Sequence, residues 1–202
     1  MLHVTHKFSK IPSGALSIDT TSAKGLWSEL SPFVLEGGPL YGAHEAIRHE
    51  NAWQFAKLYA EHADAQGEPT EAYWTWAKNG WADSRAHRYP MGKGAKPLCS
   101  LWDGKRLSYI EARKVIYAPL YARAVVKTKA YAELREMLRT SAEDIYLRDW
   151  DGYDHLIKNL TISEVANNPR KKMGHAFVLW ALLMGEYEAL VEPEPVSRDL
   201  LR

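Results

Sequence analysis

Apolar positions recur at helical spacing along most of this chain, and signals for strands are few. Over about Ala43 to His62, Ala52, Phe55, Ala56 and Tyr59 fall on one side of an expected helix, while Glu50, Gln54 and Lys57 share the opposite stripe. A second helix opens at Thr70, a suitable N-cap, and carries Tyr73, Trp74, Trp76 and Trp81. Ser108-Tyr109-Ile110-Glu111 has the form of a capping box for a helix running to about Ala118, where Pro119 either ends it or begins the next. Leu120, Ala124, Tyr131, Leu134 and Leu138 then keep a helical period, and Met173–Tyr187 is apolar enough for a buried helix. Short strands are expected around Ala15–Ile18 and after Leu26, the second closed by a turn at Glu36-Gly37-Gly38-Pro39. Another turn is expected at Asp151-Gly152. No repeat or linker divides the chain. The pattern predicts one α+β domain over 1–202, mainly helical, with a small β element near the N-terminus and a frayed tail over 188–202.

Composition narrows the function classes. The net charge is +1 with 25% charged residues, so no global field singles out nucleic acid or a membrane, and local clusters must do that work. A single cysteine, Cys99, rules out an internal disulfide framework and fits a reducing compartment. No cysteine/histidine spacing resembles a zinc site, no apolar run reaches the ~18 residues of a membrane span, and the N-terminus lacks the run of a signal peptide. The expected location is the cytoplasm of a bacterial cell or of a virus-infected host.

Three groups of residues could carry chemistry. The acids Glu50, Asp149, Asp151 and Asp154 could supply the paired carboxylates that glycosidic cleavage requires, although acids beside turns are commonly solvated or capping residues. The stretch Arg85–Pro97 holds four cations, two glycines and two prolines, and is expected to be a loop. Arg88, Lys93 and Lys96 could neutralise phosphates there, but the nucleotide-binding Gly-Lys-Ser/Thr signature is absent. The tryptophans form the third group. Trp74 reads as core, whereas Trp102, before Asp103-Gly104-Lys105, is expected to project from a turn and could stack on a base.

In this order the motifs resemble the NADAR, or YbiA-like, family. Trp27-Ser28-Glu29-Leu30-Ser31-Pro32-Phe33 is similar to the family's opening motif, and Glu50 through Lys57 to its Glu/Gln/Lys helix. Trp102-Asp103 resembles its tryptophan segment, Asp149-Trp150-Asp151-Gly152 its aspartate turn, and Met173–Met184 its closing helix. The likeness covers roughly 26–184 as short islands. Asn51 stands where the family has histidine, and the Arg85–Lys96 loop is an addition.

The resemblance implies N-glycosidase chemistry on ADP-ribosylated guanine, in nucleic acid or nucleotide, or on a related ribosyl phosphate. Glu50 and Asp149 or Asp151 would serve the oxocarbenium transition state and the attacking water, and Trp102 and Trp27 would shape the pocket. Gln54 would orient the ribose, and Lys57, Arg88, Lys93 and Lys96 would meet phosphates. The scheme calls for no metal or cofactor. Two other classes stay open: a non-catalytic module for ADP-ribose or an NAD-type nucleotide, and a nucleic-acid-binding protein using the basic loop and tryptophans.

Overall fold

The computed structural model describes residues 1–21 and 24–191, so the expected frayed tail lies, from 192 onward, outside them. The fold is mixed α+β, with more residues in helices than in strands.

A three-stranded parallel sheet forms its back. Strand β8 (Ile145–Asp149) is the middle strand, between β1 (Leu2–His6) and β2 (Leu16–Asp19). Only β2 is among the expected strands. Leu2 to Thr5 of β1 are buried without a break, although Leu-His-Val-Thr alternates apolar and polar residues, so both faces of the strand are covered. β8 occupies much of the stretch that the sequence marks only for its Asp151-Gly152 turn.

The expected turn at Glu36–Pro39 is strand β3, paired antiparallel with β4 (Glu45–Arg48). Gly37 serves strand contact there: a Cβ on it would stand 2.8 Å from that of Ala46. Leu26–Leu30 forms a 3₁₀ turn rather than leading into a strand.

The long helix expected over 43–62 is broken into pieces. β4 leads directly into α1 (His49–Gln54), followed by β5 (Lys57–Leu58) and a 3₁₀ turn at Ala60–His62. Helix α1 stops because the next carbonyls are taken. The Tyr73 hydroxyl lies 3.3 Å from both the Phe55 and Ala56 oxygens, and the latter also accepts from Leu101 N–H at 2.7 Å. β5 pairs with β6 (Cys99–Trp102), which forms a hairpin with β7 (Lys105–Leu107).

Helix α2 (Glu71–Ala82) follows Thr70, whose hydroxyl donates to the His62 carbonyl instead of capping the helix. Ser108 and Glu111 form both bonds of the expected capping box and open α3 (Tyr109–Ala112). Pro119 stands in the first turn of the next helix, the second of the two expected alternatives, where its missing N–H costs no helical hydrogen bond. A wider π turn over Arg113–Tyr117 carries α3 into that helix, α4 (Ala118–Val125). Thr128 then caps α5 (Lys129–Thr140). Helices α6 (Ile162–Ala166), α7 (His175–Met184) and α8 (Tyr187–Val191) complete the order. Buried faces of these elements meet in one hydrophobic cluster, and α7 packs against β1 and β8. No helix among the described residues is long and apolar enough to cross a membrane.

Candidate active site

Helix α1, the end of β8, the start of α7 and the basic loop 85–97 converge on one cleft of about 830 Å³. Glu50, Gln54, Lys57, Arg88, Lys96, Asp149 and Asp151 all line it, although their segments are far apart in sequence.

The polar stripe of α1 is not a solvated face. Glu50 is only 5% exposed and Gln54 8%. Lys57 Nζ donates to Gln54 Oε1 at 2.6 Å, and Gln54 Nε2 donates to Glu50 Oε1 at 2.8 Å. Lys57 lies just beyond the helix, with its ammonium 4.6 Å above the Trp53 ring. Burial pushes the Glu50 carboxyl up from its ordinary value, against the Gln54 hydrogen bond and the charges of Lys57, Arg88 and His175. Burial lowers Lys57, against the pull of Glu50. The chain thus places a carboxyl with raised proton affinity beside an ammonium with reduced affinity.

Asp149 is more enclosed. Its Oδ1 accepts from Asp151 N–H at 3.1 Å, and its Oδ2 accepts from Ala176 N–H at 3.0 Å at the N-terminus of α7. His175 Nδ1 lies 3.1 Å from the same Oδ2, while His175 Nε2 donates to the Thr20 carbonyl at 2.8 Å. Protein groups therefore occupy both oxygens of Asp149. The Asp151 carboxylate is only loosely held, 3.8 Å from Arg88, and remains partly open to the cleft. Tyr117 lies in the same wall. Burial first, then the charges of Glu50, Asp149 and Asp151, push its phenol well above its ordinary value.

Asn51 has a definite task. Its Nδ2 donates to the carbonyls of Asp83 and Arg85, and its Oδ1 accepts from His87 N–H. One buried side chain so pins the first turn of the basic loop and delivers Arg88 to the cleft.

Three of the expected site residues lie elsewhere. Trp102 belongs to β6 and does not project from a turn; it is partly buried, with its ring 4.9 Å from that of Tyr41, outside the cleft lining. Trp27 packs, partly buried, against the hydrophobic core from its 3₁₀ turn. Lys93 is exposed between Gly92 and Gly94, which line the cleft when it does not. The aromatic residues lining the cleft are instead Phe33, Trp53, Tyr59, Tyr89, Tyr109, Tyr117 and Trp150. Arg170 and Lys172 add cations that the sequence analysis passed over, although Arg170-Lys171-Lys172 is a visible basic run. No group of three or more His, Cys, Asp or Glu among the described residues is placed to hold a metal ion.

No protein-family model, curated protein or solved structure matches this chain.

Proposed function

We propose that this protein hydrolyses the N-glycosidic bond of an ADP-ribosylated guanine or of a related ribosyl-phosphate compound, as a distant YbiA-like protein. The observation that carries this reading is the buried Glu50 carboxyl in a cleft also lined by Lys57, Arg88, Lys96, Arg170 and Lys172. Such a cleft suits a sugar presented with its phosphates toward cations and its anomeric carbon toward an acid. The NADAR-like motifs add support, since Glu50, Gln54, Lys57, Asp149 and Asp151 come from separate islands of that likeness and share one cleft.

Cleavage of such a bond passes through a cationic, oxocarbenium-like sugar. Asp151, open to the cleft, supplies the negative charge beside it. Glu50, whose burial raises its proton affinity, takes a proton from the attacking water. The water oxygen bonds to the anomeric carbon, the C–N electron pair leaves with the base, and the proton taken by Glu50 passes to the base through solvent, which regenerates the carboxylate. Asp149 acts as a positioning residue, holding Asp151 through its backbone N–H.

Mass-resolved turnover of guanine-ADP-ribosylated DNA tests this reading. Wild type should release ADP-ribose, and Glu50→Gln and Asp151→Asn should each slow release by about 10²–10⁴-fold with the circular dichroism unchanged. A thermal shift with ADP-ribose but no turnover, unaltered by Glu50→Gln, would make the cleft a nucleotide-binding module. Neither turnover nor shift would remove the ligand pocket altogether.

A further inference from the structure

Aromatic exposure is concentrated at one place on this molecule. Among the described residues only four aromatic side chains are highly exposed: Phe8, Tyr89, Tyr109 and Trp150. Tyr89, Tyr109 and Trp150 line the cleft, and Phe8 sits against Trp150 with ring centroids 5.2 Å apart and planes nearly perpendicular. Phe8 is 71% exposed and is not part of the cleft wall. Its exposure is not that of an untethered segment. The Lys7 N–H donates to the Asp149 carbonyl at 2.9 Å, Arg148 donates to the Lys7 carbonyl, and Ser9 N–H closes a turn on His6. The neighbouring Lys7 ammonium lies 4.9 Å above the Trp150 ring. The fold thus holds an apolar ring out in water beside the cleft, where it does nothing for the core.

The charge around the mouth is equally uneven. Residues 85–97 contain four Arg/Lys and no acid, and residues 167–175 contain three and no acid, in a chain whose net charge is +1. These two segments supply Arg88, Lys96, Arg170 and Lys172 to the cleft lining. A free ADP-ribosyl group brings only two phosphates, fewer than the four cations that these segments place in the cleft lining, and Phe8 stands outside that lining. Aromatic rings that continue past a pocket, flanked by surplus cations, fit an extended polyanion with flat faces.

We infer that the rim formed by Phe8 and Trp150, with the basic segments 85–97 and 167–175, is a docking surface for single-stranded nucleic acid, on which nucleotides flanking the cleft stack and are neutralised. The inference rests on the proposed N-glycosidase reading and specifies its substrate as one carried on a strand. Duplex is the poorer partner, because its bases present no free faces to Phe8.

The test is binding of unmodified 12-nucleotide oligo-dT and oligo-U, and of a duplex of equal length, to the full chain, with ADP-ribose titrated separately. Wild type should bind a single strand more tightly than the duplex, with affinity falling steeply between about 50 and 200 mM salt. Phe8→Ala should weaken single-strand binding about tenfold and leave ADP-ribose binding unchanged. A preference between the two oligomers would tell DNA from RNA. The inference is overturned if wild type binds ADP-ribose but no single strand, or if Phe8→Ala leaves strand affinity intact. It is also overturned if Phe8→Ala changes only the sedimentation of the protein, which would make the rim a contact between copies. Loss of ADP-ribose binding by wild type would instead strike the N-glycosidase reading itself.

Discussion

Asp149 matters through what it holds. It ties the end of β8 to the first turn of α7 and fixes the backbone of Asp151, all from a side chain that is almost wholly buried. That arrangement requires Gly174, where a Cβ would stand 2.1 Å from Oδ2 and 2.5 Å from the carboxyl carbon. The Gly174 backbone is extended, so the constraint is space rather than conformation. Gly174→Ala should therefore destabilise the protein by about 1–3 kcal/mol through overpacking, read as a lower urea midpoint with an unchanged slope. An unchanged midpoint would mean that Asp149 can leave α7 at no cost. At this scale Glu50, Gln54 and Lys57 were legible in the sequence because they lie within seven residues of one another. His175 carried no comparable signal, since its partner Thr20 is 155 positions away.

Elements were legible where local chemistry decides them and illegible where long-range pairing does. The capping box at Ser108 is local, and it forms as expected. The stretch 43–62 has a helical period, yet β3 and β6 claim its two ends as sheet partners and leave six residues of helix between. The same competition hid the structure of 167–174, which has no regular pattern because Arg113 organises it from another element. This buried guanidinium donates to the carbonyls of Val165, Ala166, Asn168 and Lys171 and stacks 4.5 Å from the Tyr109 ring. A lysine has the charge but not the planar fork, so Arg113→Lys would leave some of those carbonyls buried without a donor. The expected cost is about 2–3 kcal/mol, accompanied by faster amide hydrogen exchange confined to the segment that carries Arg170 and Lys172. Loss of stability without that local exchange would show that Arg113 serves the core and not this wall.

Across the whole molecule, the packing that builds the cleft also makes stability depend on pH. His49 is fully buried behind Glu50. Its Nε2 donates to the Tyr117 carbonyl at 3.1 Å, its Nδ1 has no partner, and Tyr117 and Tyr121 pack edge-on against its ring. Burial, with smaller contributions from His175 and Arg123, lowers its pKa from 6.5 to about 4. The unfolded chain therefore binds a proton at His49 between these values when the native state does not, and stability falls as pH drops through that window. Glu50 contributes with the opposite sign, because burial raises its carboxyl, so the native state is favoured as that group takes up a proton. Comparing wild type with His49→Gln cancels the Glu50 contribution and isolates the histidine. Between pH 7 and pH 5 wild type should lose about 2 kcal/mol more than the variant in urea unfolding. Equal losses in the two proteins would mean that His49 takes up its proton within the fold, with water or a moved side chain at Nδ1. The wall between Glu50 and Tyr117 would then be open rather than closed.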